Sequence, residues 1–202
     1  MGRFKESLWG MLLVMVAFCG LSGALLAWVH VLTTEPIGQA AVKQRIDAVA
    51  DILPAFDNNP VDEGVSVDLD GEPRPLHVYP ALRDGEFVGA AVESYSSEGF
   101  SGDIVVMYGF DVSGNITGYR VVSHAETPGL GAKMEQWFRM PEGRRSVIGR
   151  NPVADNLTVA KDGGDVDGIT AATITSRAFL DALHRAHECF KAYCETYNNQ
   201  GV

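Results

Sequence analysis

Leu8-Trp-Gly-Met-Leu-Leu-Val-Met-Val-Ala-Phe-Cys-Gly-Leu-Ser-Gly-Ala-Leu-Leu-Ala-Trp-Val-His-Val-Leu32 is the stretch that decides how this chain is built. Its 25 residues include no Asp, Glu, Lys or Arg, and His30 is its single imidazole. At about 1.5 Å of rise per residue, a helix of this length crosses a hydrocarbon core of about 30 Å with some tilt. Trp9 and Trp28 stand near its two ends, where amphipathic rings favour the headgroup zone. The run is longer than the roughly 7–15 apolar residues of a signal peptide, and no small-x-small cleavage pattern follows it before Pro36, so it reads as an anchor and not a cleaved leader. Phe18 before Cys19 also argues against a lipoprotein cleavage site. Arg3 and Lys5 precede the run and the next basic residue is Lys43, so the positive-inside rule puts residues 1–7 in the cytoplasm and the C-terminal domain outside, on the periplasmic or extracytoplasmic face of the inner (cytoplasmic) membrane.

Working outward, residues 1–34 carry Arg3 and Lys5 against Glu6, a net of +1, which leaves −11 of the chain's −10 for residues 35–202. An acidic exported domain does not bind by neutralising phosphates, so nucleic acid is excluded as a partner. With 46% apolar residues in 202, the chain is not intrinsically disordered. Cys19, Cys189 and Cys194 are too few for a disulfide framework or a four-ligand zinc site. The spacing of Cys189 and Cys194 points them apart on a continuous helix. His184 and His187 form an i, i+3 pair without an obvious third ligand, and His124 does not complete one, so no metal site is expected.

The expected class is α+β: one N-terminal transmembrane helix, then one exported domain with an antiparallel sheet and packed helices. The expected divisions are 1–7, cytoplasmic; 8–32, the membrane helix; 33–84, a stalk helix and the first part of the domain; 85–197, the main domain; and 198–202, a tail. Residues 36–53 read as a helix leaving the membrane, and Asp57–Pro75, with its prolines and acids, as loops around a strand at Val65–Leu69. Glu86–Tyr95, Asp103–Phe110 and Ile116–His124 are rich in Val, Ile and aromatics, with a turn at Asp111-Val-Ser-Gly-Asn115, and predict a meander. Ala132–Phe138 predicts a short helix and Leu157–Ala160 another strand. Leu180, Leu183, Phe190 and Tyr193 or Cys194 place one apolar stripe on a last helix, Arg177–Tyr197.

Two segments carry candidate chemistry. His124-Ala-Glu-Thr-Pro-Gly-Leu-Gly131 joins a predicted strand to a predicted helix in a tight turn whose N–H groups can face a ligand; an ordinary turn is the alternative. Asp165-Val-Asp-Gly-Ile-Thr-Ala-Ala-Thr-Ile-Thr-Ser176 runs from an acidic loop into the last helix. Its hydroxyls, with small residues beside them, lie where a helix start leaves donors unpaired, a suitable place for a phosphate; a plain cap at Thr175 or Ser176 is the alternative.

Asp167-Gly-Ile-Thr-Ala-Ala-Thr173 resembles the flavinylation motif of the FMN-binding domain family: an aspartate, two variable residues, Ser or Thr, a position usually filled by glycine, then Ala-Thr. Ala171 stands at the glycine position and keeps it small. Glu126-Thr-Pro-Gly-Leu-Gly131 resembles a second hallmark of the family, found in the FMN-carrying subunits of Rnf and sodium-pumping NADH:quinone reductase complexes. The resemblance covers roughly residues 85–190, and the chain length is more similar to the Rnf type than to its longer counterpart.

The resemblance implies one FMN, joined by a phosphoester to Thr173, with Asp167, Gly168, Thr170, Ala171, Ala172, Thr175 and Ser176 around the attachment point. Glu126, Thr127, Gly129 and Leu130 would lie along the flavin. It implies an electron-transfer subunit of an Rnf-type translocase that couples ferredoxin/NAD electron transfer to Na⁺ or H⁺ transport, with no complete activity in this chain alone. The implied partners are the other membrane and peripheral subunits, the lipid bilayer, and a flavin transferase that takes FMN from FAD with Mg²⁺. No residue here acts as a catalyst in that reading: threonine is a weak nucleophile, and the nearest histidines, His184 and His187, lie further along the helix. The alternatives are the C subunit of a sodium-pumping NADH:quinone reductase, a membrane-tethered binding or sensory module without covalent flavin, and a structural subunit without flavin.

Overall fold

The computed structural model describes residues 8–200; Arg3, Lys5 and the rest of segment 1–7, with residues 201–202 of the tail, lie outside the described residues. The chain divides into two compact units between Lys43 and Gln44. Helix α1 (Leu8–Ile52) supplies the whole of the first described unit. Its apolar stretch Trp9–Thr34 is long enough to cross a bilayer, and its large side chains are exposed. Near the end of that stretch, Thr33 Oγ1 donates to Val29 O and Thr34 Oγ1 to His30 O, at 2.9 and 2.7 Å, so both hydroxyls are satisfied within the helix. The stalk helix expected at 36–53 is a continuation of α1 and not a separate element, since helical order runs through to Ile52.

In the second unit, β1 (Val65–Val67), β2 (Leu76–Arg83), β3 (Glu86–Ser96), β4 (Ile104–Asp111) and β5 (Ile116–Ser123) form one antiparallel meander in chain order. The fold is α+β, as the sequence implies. β2 is the strand that the sequence hides, since Pro80 sits inside it and proline cannot donate to a ladder. Beyond the short pairing with β1, its outer edge is held by a loop: Asn58 Nδ2 donates to Pro80 O, Leu82 N donates to Asn58 Oδ1, and Asp57 N donates to Leu82 O, each at 2.9 Å.

Alternation along the strands gives the sheet two apolar faces. On one lies α3 (Thr173–Gln200), whose Phe179, Leu183, Ala186 and Phe190 recur at helical spacing and pack on Val78, Val92, Val106 and Phe110. Tyr108 and Tyr119 are buried there, donating to Phe179 O at 2.7 Å and Met134 O at 2.8 Å; burial pushes the Tyr119 phenol up to about 12. A 3₁₀ turn (Gly131–Lys133) leads into the short α2 (Met134–Trp137), which matches the expected short helix. Leu157–Ala160, expected as a strand, makes only a single parallel bridge between Val159 and Val166 before a 3₁₀ turn at Ala160–Asp162. The turn at Gly163–Gly164 spends its backbone groups locally, with Ala160 N on Val166 O and Val166 N on Thr158 O, and the segment joins no neighbouring strand.

The other face receives the last turns of α1. Ala48, Val49 and Ile52 pack on Tyr79, Ala91 and Met107. The close approach is made possible by Gly109 and Gly118, register partners on β4 and β5: a Cβ on either would run into Ile52. Thr117 Oγ1 bonds Ile52 O, Arg120 pairs with Asp51, and Arg45 pairs with Glu93 at 2.9 Å, so polar contacts fix the same docking. Overpacking of this kind costs about 1–3 kcal/mol, so Gly118→Val is expected to lower the Tm of the full chain in detergent by several degrees, whereas Gly71→Ala, in open space but at positive φ, lowers it less. Equal losses would show that helix docking on the glycine pair does not carry stability.

Burial raises the thiols of Cys189 and Cys194 to about 12 and about 11, so both stay protonated at pH 8. Maleimide labelling of the two at that pH is expected to be slow in the folded chain and fast after denaturation. Fast labelling of Cys189 before unfolding would contradict the packing of α3.

Candidate functional site

The segment from Asp165 to Ser176 is a turn closed by its own polar groups. Asp167 anchors its start: Arg144 N donates to Asp167 Oδ2 at 2.9 Å, Asp167 N to Arg144 O at 2.9 Å, and Trp137 Nε1 to Asp167 O at 2.8 Å. Gly168 follows because a Cβ there would meet Val159 Cγ1 at 2.9 Å. Ser176 then closes the turn, its Oγ accepting from Ile169 N and donating to Ala172 O, both at 2.9 Å. Between these, Ala171 takes a left-handed conformation, φ 63°, which is the physical reason glycine suits that position.

The result differs from a cap at Thr175 or Ser176. The helix begins at Thr173, four residues before the expected Arg177, and Thr175 and Ser176 lie buried within its first turn. Its first ladder bond runs from Ser176 N to Ala172 O at 3.0 Å, so the N–H groups of Thr173, Ile174 and Thr175 precede the ladder.

The turn after β5 meets this helix start. Gly129 sits at φ 78°, Leu130 N and Ala132 N both donate to Thr127 O, and Glu126 is brought inward to 5% exposure. Glu126 Oε2 accepts from Thr175 Oγ1 at 2.6 Å and Oε1 accepts from Ser101 N at 3.1 Å. Gly131 has no room for a side chain, because a Cβ would collide with Glu126 Oε2 and Thr175 Oγ1.

These segments enclose a cavity of about 310 Å³, at the lower end of small-molecule sites. Of the residues expected around a ligand, Glu126, Thr127, Leu130, Ala171, Ala172, Thr173 and Thr175 line it. Gly129 shapes the turn without lining the cavity, Thr170 is exposed outside it, and Asp167, Gly168 and Ser176 build the turn behind it. Gly131, the last residue of the expected turn, also lines it, as do Phe100 and Ile174, which the sequence reading does not single out. Phe100 is 67% exposed, an aromatic between Gly99 and Gly102 in a polar loop, and that placement is its only sequence signal.

The hydroxyls sort sharply. Thr175 and Ser176 are committed to hydrogen bonds, whereas Thr173 Oγ1, half-buried in the cavity wall, hydrogen-bonds to none of the described residues. The cavity therefore fits a phosphorylated aromatic group: exposed apolar side chains of Phe100, Leu130 and Ile174, and beside them a free hydroxyl at a helix start with N–H groups to spare. The histidines are used elsewhere. His124 Nδ1 accepts from Glu126 N at 3.1 Å, His184 Nε2 lies 3.1 Å from Leu157 O, and His187 packs edge-on to Phe110, where burial lowers its pKa.

A left-handed alanine costs about 1–2 kcal/mol, and a β-branched residue there costs more. Ala171→Gly is expected to hold or raise the Tm, and Ala171→Val to lower it by several degrees. A Val variant as stable as the parent would contradict the turn geometry.

Residues 99–188 match the model of the FMN-binding domain, a span that includes Phe100, Glu126 and Thr173. Over nearly its whole length the chain is similar to proteins named as the G subunit of an ion-translocating oxidoreductase complex. It is 34% identical to that of Vibrio cholerae serotype O1 over 195 residues, 93% of this chain and 92% of the relative. The Aliivibrio fischeri protein is 34% identical over 189 residues, 91% and 90% of the two chains, and the Erwinia tasmaniensis protein 35% over 194 residues, 92% and 89%. A helix start that offers one free threonine to an apolar cavity, and relatives that match from end to end, lead to one conclusion: the chain belongs to the FMN-binding domain family that includes the G subunits of ion-translocating oxidoreductase complexes.

Proposed function

We propose that this chain is the membrane-anchored electron-transfer subunit of an Rnf-type ion-translocating oxidoreductase and that it carries one FMN, joined through a phosphoester to Thr173 Oγ1. The observation that carries the reading is the state of the hydroxyls in the motif. Thr173 alone among Thr170, Thr173, Thr175 and Ser176 both lines the cavity and keeps its hydroxyl out of hydrogen bonds with the described residues. The end-to-end similarity to the Vibrio and Aliivibrio G subunits favours this type over the quinone-reductase C subunit and over a sensory module.

When bound, FMN supplies reversible acceptance and release of electrons. The chain's own residues hold and orient it. The N–H groups of Thr173, Ile174 and Thr175 would hold the single negative charge of a phosphodiester, which the positive end of α3 would favour. Phe100, Leu130 and Ile174 offer apolar surface to the ring. Glu126 has both carboxylate oxygens engaged, and His184 and His187 are turned to other partners, so the nucleophile has no free base. Attachment therefore falls to a flavin transferase acting after export, with FAD as the source of FMN.

Trp9–Thr34 anchors the chain, with the N-terminus cytoplasmic and the FMN domain outside. That span carries no Asp, Glu, Lys or Arg, so the ion path belongs to partner subunits, as do the redox centres that exchange electrons with the flavin. A covalent tether suits a carrier outside the cytoplasm, where a lost flavin is diluted beyond recapture.

Wild type and Thr173→Ala, each exported in cells that also make an active flavin transferase, are to be denatured and compared by in-gel flavin fluorescence. The expected result is a bright wild-type band and a dark mutant band, with Thr170→Ala still bright. A dark wild-type band beside a bright flavinylated control would overturn covalent attachment, and a bright Thr173→Ala band would move it to another residue.

A further inference from the structure

Glu126 is buried in the wall of the cavity that Thr173 also lines, and its carboxylate touches no cation among the described residues. Its oxygens accept from Ser101 N–H and Thr175 O–H, one each. His124, the basic side chain nearest in sequence, receives the Glu126 backbone N–H at its Nδ1 and lies 3.2 Å from Glu135 through its Nε2. Gly99 and Gly131 both pack against the carboxylate, so water is kept from it by backbone on two sides. Through Ser101 it also holds the loop that presents Phe100, and through Thr175 it holds the first turn of α3.

We infer that the Glu126 carboxylate lowers the reduction potential of the flavin held in this cavity; the inference rests on the FMN assignment above. Each electron that arrives from a redox centre of a partner adds one negative charge to the flavin, which remains until a proton is taken up. A fixed negative charge buried in the wall of the same cavity raises the energy of that added charge more than an exposed one would. The two hydrogen bonds from Ser101 and Thr175 spread the carboxylate's charge and moderate the effect. A low potential favours onward delivery of electrons over their retention.

The test is an equilibrium redox titration, followed by flavin absorbance, of full-length flavinylated protein in detergent. Glu126→Gln keeps the side chain's shape and both contacts, with the Thr175 partnership reversed to amide N–H on hydroxyl oxygen, and removes only the charge. Its midpoint potential is expected above that of wild type. Thr175→Val keeps the charge and removes one of its hydrogen bonds, and its potential is expected below wild type, with Thr175→Ser restoring the wild-type value. An unchanged or lower potential in Glu126→Gln overturns the proposal. If that variant takes up no flavin, an unchanged or higher potential in Thr175→Val overturns it instead. Absence of flavin from the wild-type protein is the distinct result that fails the FMN assignment itself.

Discussion

The hydroxyl of Ser176, reaching back to Ile169 N and Ala172 O, is the contact on which the site depends. A serine in the first turn of a helix usually competes with the backbone, and here that competition is put to use. By bonding the two ends of the preceding turn, it stabilises the left-handed step at Ala171 and lets the helix begin at Thr173. Because Ser176 and Thr175 are consumed within the protein, the hydroxyl at the helix start is left to face the cavity. Gly168 belongs to the same device, since a Cβ at that position would press on Val159 Cγ1.

Three segments far apart in sequence make the cavity, and one buried carboxylate ties them together. Loop 99–102, the turn 126–131 and the helix start 171–175 each contribute a surface, and Glu126 is bonded to the other two. Burying a carboxylate without a cation is costly, more so in a domain that is already acidic. Two hydrogen bonds offset part of that cost.

The parts legible in the sequence are those with strong local patterns. The apolar run from Leu8, the Val- and aromatic-rich strands β3 to β5, and the stripe through Leu180, Leu183 and Phe190 each appear where their periodicity puts them. β2 was hidden because Pro80 contradicts a strand unless a loop supplies the missing edge, and Asn58, distant in sequence, does that. The strand at Leu157–Ala160 failed for the opposite reason: its residues favour a strand, but its hydrogen bonds go to the adjacent turn. In the site, the two motifs supply most of the residues that line the cavity, yet Phe100 and Ile174 carry no pattern that distinguishes a lining residue from a surface one. Only the meeting of loop and helix start in space assigns them.

The docking of α1 on the sheet bears on how such a domain works in a membrane assembly. Gly109 leaves no room for a Cβ beside Ile52 O and Gly118 only a tight one beside Ile52 Cα, so the helix end approaches the strands closely, and the adjoining ion pairs Arg120–Asp51 and Arg45–Glu93 resist its sliding. The same two strands, β4 and β5, carry Tyr108 and Tyr119 on the opposite face, where their hydroxyls bond Phe179 O in α3 and Met134 O at the start of α2. Helix end, sheet and cavity-bearing helix are thus consecutive layers joined by buried contacts with no loose element between them. An electron carrier gains from this, because transfer requires the cofactor to be held in a constant position relative to the domain surface that meets a partner. Layers packed at crystal-like density give that constancy without further machinery.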